Sequence, residues 1–145
     1  MIAIGSDHAG YEAKEKVKKH LESLGVSFKD FGTHSEESCD YPLIAKDVSL
    51  SVKSGESEKG ILICGSGIGM SIAANKFSGI RAALCKDEET SKLSRAHNNA
   101  NIVCIGARTT DLEEIKKIVN AFLETSFDAG RHQRRLEQIT DIENS

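Results

Sequence analysis

No stretch of this 145-residue sequence approaches the run of about 20 apolar residues that spans a bilayer. A strong charge of one sign is missing too: 19 Lys and Arg stand against 22 Asp and Glu, a net charge of −3. Nothing global therefore attracts nucleic acid or an acidic membrane, and any anionic ligand must be held by a local cationic cluster. The four cysteines, Cys39, Cys64, Cys85 and Cys104, form no CxxC pair and no zinc-like spacing with histidine. No metal site and no cofactor is expected from them. Cys64, Cys85 and Cys104 sit in or beside apolar runs, where reduced cysteine acts as a small core residue. A reducing, cytoplasmic compartment is the expectation. Met1 to Gly5 lacks the basic start and long apolar stretch of a signal peptide and reads as a strand. Repeats, low-complexity stretches and linkers are also absent, so residues 1–145 are expected to form one domain.

What is present is an alternation of short β-rich runs and longer helical patterns. Ile2–Gly5 is followed by a helix with Ala13, Val17, Leu21 and Leu24 on one stripe, lysines and glutamates elsewhere, and Gly25 as its stop. Val26–Phe31 alternates imperfectly, with Val26, Phe28 and Asp30 facing one way and Lys29 the other. A polar loop leads to Pro42, the only proline, which opens a helix to about Lys53. Strands are expected at Gly60–Cys64, Ile80–Cys85 and Asn101–Ile105, and helices up to about Lys76, from Asp87 to His97, and from the Asp111 cap to about Phe122. Asp128–Asn144 reads as a polar, partly helical arm. Five strands separated by helices imply a parallel sheet covered on both faces, a Rossmann-like α/β three-layer sandwich. Ligands bind beyond the carboxyl ends of such strands, which points to Ser6–Gly10, Gly65–Gly69, Lys86–Asp87 and Gly106–Asp111.

The sharpest motif is Cys64-Gly65-Ser66-Gly67-Ile68-Gly69, which ends a strand and opens a helix. Its glycines allow a tight turn, and the amides at the helix start favour negative charge. An enediolate would be stabilised there, beside the Ser66 hydroxyl. The spacing is GxGxG rather than the GxGxxG of dinucleotide sites, although Asp87 after the next strand keeps that reading alive. It is neither a P-loop nor a GxSxG elbow. Composition alone favours a buried strand cysteine at Cys64; its place before an amide-rich turn favours a reactive thiolate. Cys85 and Cys104 read as core. Asp7 and His8 lie on the same sheet edge as the turn, against the plainer reading of a helix cap and a surface histidine. His97, at a helix end, either answers the helix dipole or acts as general acid and base. Arg131, His132, Gln133, Arg134 and Arg135 form the one cationic cluster. Arg131 and Arg135 share a helical face suited to phosphate, or to solvent alone, and Arg108 is a further candidate.

Together these residues resemble the ribose-5-phosphate isomerase B family, which includes the galactose-6-phosphate isomerase subunits. The resemblance rests on SDHAG at 6–10, DYP at 40–42, ILICGSGIGMSIAANK at 61–76, GIRAAL at 79–84, SRAHNNAN at 94–101, GAR at 106–108 and GRHQRR at 130–135. It implies a metal-independent aldose–ketose isomerase acting on ribose 5-phosphate. It also implies homodimers, or homotetramers built from them, with active sites at subunit interfaces. Cys64 stands where one branch of the family has its catalytic base, Ser66 where the proton-handling hydroxyl lies, and His97 where ring opening is assisted. His8, Arg131, Arg135 and Arg108 match phosphate positions. Asp7 and Tyr41 match sugar-site positions, the turn residues Gly65, Gly67, Ile68 and Gly69 match substrate contacts, and Asn75 and Asn98 stand at further substrate positions. Three alternatives remain: an isomerase of allose 6-phosphate or galactose 6-phosphate, a non-catalytic sugar-phosphate or nucleotide module, and a hydrolase using Ser66 and His97.

Overall fold

The computed structural model describes all 145 residues. Its elements run β1 (Ile2–Ser6), α1 (Tyr11–Ser23), β2 (Phe28–Asp30), α2 (Tyr41–Ser54), β3 (Lys59–Cys64), α3 (Ile68–Ala74), β4 (Ala82–Leu84), α4 (Glu88–Ala96), β5 (Ile102–Gly106), α5 (Leu112–Glu124) and α6 (Gly130–Glu143). The strands form one parallel sheet in the order β2-β1-β3-β5-β4. This is the expected Rossmann-like α/β sandwich, and each inner strand is apolar on both faces because helices cover both.

Period-two alternation divides the core. Ile2, Ile4, Ile61, Ile63, Val103 and Ile105 pack with Val17 and Leu21 of α1 and Ile115, Ile118 and Phe122 of α5. On the other face Ala3, Leu62, Cys64, Ile102 and Cys104 pack with Ala45 and Val48 of α2 and Met70 and Ala74 of α3. Capping chemistry sets the helix starts. The Asp87 side chain accepts from the Thr90 amide in a capping box, and the Asp111 side chain accepts from Glu114.

Some boundaries differ from expectation. β2 contracts to three residues and β4 to three, as suits strands at the sheet's edges. Cys104 lies inside β5, which continues to Gly106, and Cys85 follows β4. Leu24 leaves the apolar stripe: α1 stops at Ser23, and Leu24 is 48% exposed. The polar arm is a full helix, α6, with Leu136 buried and the Glu143 carboxylate accepting from the Gly79 amide.

Lys14 is the larger surprise. The helical stripe places it among solvent-facing lysines, yet its side chain is wholly buried. Asp30 at the end of β2 faces inward as the alternation suggests and accepts hydrogen bonds from both Lys14 and Lys18. Burial opposes ionisation of Asp30, but these two ammoniums and the Gly32 amide outweigh it and hold the carboxyl below its usual range. No helix is long and apolar enough to cross a membrane.

Candidate active site

The crossover from β1 leaves toward β2, whereas the one from β3 leaves in the opposite direction toward β4. The carboxyl ends of these two adjacent strands therefore flank a topological switch point, where open parallel sheets form a crevice. Asp7 and His8 follow β1, and Cys64 ends β3.

The end of β1 is stitched on both sides. The Ser6 amide donates to Gly32 and its carbonyl accepts from Thr33, while the Asp7 amide donates to Ile63. The buried Asp7 carboxylate accepts from the Gly10 amide at 3.0 Å. His8 Nδ1 accepts from the Cys39 amide at 3.2 Å, which leaves Nε2 as the protonated nitrogen of the neutral ring.

Cys64 is 5% exposed, and its Sγ accepts from the Gly67 amide at 3.1 Å. Gly67 has φ +77, and a Cβ there would lie 2.9 Å from the Ile105 carbonyl carbon. Only glycine both adopts this conformation readily and lets the turn press against β5. The Ser66 hydroxyl is exposed and accepts from the Ile68 amide at 3.2 Å. The amides of Gly65 and Ser66 donate to no backbone acceptor. Two side chains roof the turn. A Cβ on Gly65 would stand 3.1 Å from Arg108 Nη1, and one on Gly69 would stand 2.5 Å from the Tyr41 ring.

The other predicted residues lie elsewhere in the chain. His97 caps the C-terminus of α4, just before β5 begins, and so sits at the amino edge of the sheet. Cys64 is at the opposite edge, about 13 Å away along β3 alone. The Asn98 side chain is exposed at the His97 edge. Arg131 and Arg135 are exposed in the first turns of α6 and form no ion pair. The Asn75 amide is engaged both ways by the Ala82 backbone, at 2.9 and 2.8 Å. His132, named above only as part of the cationic cluster, joins His97: its ring stacks on the His97 ring with centroids 4.3 Å apart and planes 17° apart.

The family model described as Ribose/Galactose Isomerase matches residues 2–139. The chain belongs to this family. It is 49% identical over 142 residues to ribose-5-phosphate isomerase B of Escherichia coli strain K12, covering 98% of this chain and 95% of that protein. A Clostridium thermocellum ribose-5-phosphate isomerase B structure superposes with a TM-score of 0.97 at 47% identity, covering 99% of this chain and 97% of that one. The Mycoplasma genitalium enzyme, solved with bound ribulose 5-phosphate, gives 0.95 at 40% identity, covering 99% and 96%.

Within this isomerase family framework, the geometry bears on two other readings. Asp87, required by the dinucleotide alternative, commits its carboxylate to the cap of α4. Ser66 and His97, required by the hydrolase alternative, sit at opposite sheet edges of one chain. No three or more His, Cys, Asp or Glu side chains converge as a metal-binding group.

Proposed function

We propose that this protein interconverts ribose 5-phosphate and ribulose 5-phosphate through an enediolate, with the Cys64 thiolate as base. The observation that carries this reading is the Gly67 amide donating to Cys64 Sγ in a turn whose Gly65 and Ser66 amides are free. An amide aimed at sulfur and free amides beside it are suited to meet negative charge that develops in the turn. The family match and the ribulose 5-phosphate bound to the Mycoplasma relative support the choice of pentose.

In this reaction His97 protonates the furanose ring oxygen while Asp7 takes the anomeric hydroxyl proton, which releases the linear aldehyde. Cys64 removes the proton from C2, and the charge developing on O1 meets the Gly65–Gly69 turn. Ser66 carries the hydroxyl proton from O2 to O1. Cys64 then returns its proton to C1 and yields the ketose. Tyr41 and the turn residues Gly65, Gly67, Ile68 and Gly69 border the sugar, and Asn98 and Asn75 are outer contacts. His8, Arg108, Arg131 and Arg135 hold the phosphate, whose binding energy orients the reacting carbons.

The separation of His97 from Cys64 within one chain supports a site shared between two copies. Cys64, Ser66, Asp7, His8, Tyr41 and Arg108 come from one subunit; His97, Asn98, Arg131 and Arg135 come from its partner. The protein is accordingly a homodimer or a homotetramer built from dimers. Four free cysteines suit a reducing, cytoplasmic setting.

The test is conversion of ribose 5-phosphate by the purified protein with a chelator present. Brisk formation of ribulose 5-phosphate that alkylation abolishes is the expected result. Activity on six-carbon aldose phosphates alone would move the substrate assignment. Inactivity on both would leave only a sugar-phosphate-binding module.

A further inference from the structure

His97 has no hydrogen bond from either ring nitrogen to any other group of the chain. It is a helix C-cap, flanked by the exposed Asn98, so its backbone alone leaves the imidazole several rotamers. One side chain restrains it: the near-parallel His132 ring. We propose that His132 is a positioning residue, a flat platform on α6 that holds the His97 imidazole in the orientation needed to protonate the sugar's ring oxygen. This rests on the isomerase reading of the site.

Three observations support the assignment. The platform is anchored independently of the substrate: Leu136, one turn further along α6, is buried, and Glu143 at its far end accepts from the Gly79 amide. The segment entering α6 is tied to α4 itself, because the Asp128 amide donates to the Ala96 carbonyl beside His97. The platform also stays uncharged near neutral pH. Partial burial, then His97, Arg131 and Arg135, hold the His132 imidazole below the usual histidine range, with Asp128 opposing. A neutral ring stacks with a proton-carrying neighbour without repelling it.

Stacking makes this role distinguishable from phosphate binding by the adjacent arginines. His132→Ala removes the platform, and His132→Phe keeps a flat ring without nitrogens. For His132→Ala, kcat on ribose 5-phosphate should fall roughly three- to tenfold with KM little changed, the range expected for losing one aromatic pair. His132→Phe should recover most of that loss. In the NMR spectrum, the His97 ring protons should lose their ring-current displacement in His132→Ala and keep it in His132→Phe. Unchanged kcat in His132→Ala overturns the proposal. So does a loss carried by KM, which marks a phosphate ligand, or a His132→Phe variant as impaired as the alanine. A wild type inactive on every aldose phosphate would overturn the isomerase reading itself, and the ring-current comparison separates that failure from a broken stack.

Discussion

Cys64 differs from the other buried cysteines in what its sulfur faces. Burial pushes the Cys85 and Cys104 thiols up, and neither is reached by a turn amide. Brief treatment with iodoacetamide at neutral pH should therefore modify Cys64 well before Cys85 or Cys104, as peptide mass mapping would show; Cys39, half-exposed, serves as the accessible reference. Cys64→Ala should lower kcat about a hundred- to ten-thousand-fold, the worth of a positioned base, while sugar phosphate still binds. Full turnover in that variant would remove the base assignment. The Cys64 turn was legible in the sequence because all its determinants are local: a strand end, three glycines and a serine within six residues. His132 was not, because its role depends on α6 folding back to meet the end of α4. Asn75 was legible only as a position, since its pairing with Ala82 arises when α3 docks on β4.

Among the elements, α1 and β2 are joined by charge rather than by apolar surface alone. Lys14 and Lys18 bracket Asp30, Glu15 adds a second carboxylate, and Asp30 also receives the Gly32 amide. Gly32 in turn accepts from Ser6, so the ion network braces the strand end that presents Asp7. Removing one partner from a buried pair strands the other, which costs about 3–5 kcal/mol. Lys18 remains beside Asp30, so Lys14→Ala should fall near the lower end of that range in urea unfolding. The pH dependence follows from the lowered Asp30 pKa. Its contribution is present above the unfolded value, about 3.9, and is lost as pH falls through the lower folded value. Wild-type stability should thus decline below about pH 4, and Asp30→Asn should be less stable at neutral pH with a shallower acid decline. An equally steep decline in Asp30→Asn would contradict the assignment. Helix periodicity could not announce this network, because Lys14 sits beside the apolar stripe and its counter-charge comes from a different strand.

For the whole molecule, the order of elements made the α/β class legible: five apolar strands separated by helices permit little else. The separation of the candidate residues between two sheet edges was not legible from motifs, because spacing along the chain does not reveal which edge a helix end occupies. Apolar side chains left exposed near both groups of candidate residues, including Leu43, Ile68, Ile72 and Ile142, fit the proposed surface that a second copy covers. Light scattering should accordingly return twice the 15.7 kDa chain mass or a multiple of it. The most direct test of the shared site mixes two disabled variants, Cys64→Ala and His97→Ala, after subunit exchange. Each alone should turn over ribose 5-phosphate poorly. Random reassembly pairs an intact Cys64 half with an intact His97 half in about a quarter of the sites, so activity should recover to about a quarter of wild type. A mixture no more active than its components would contradict the account.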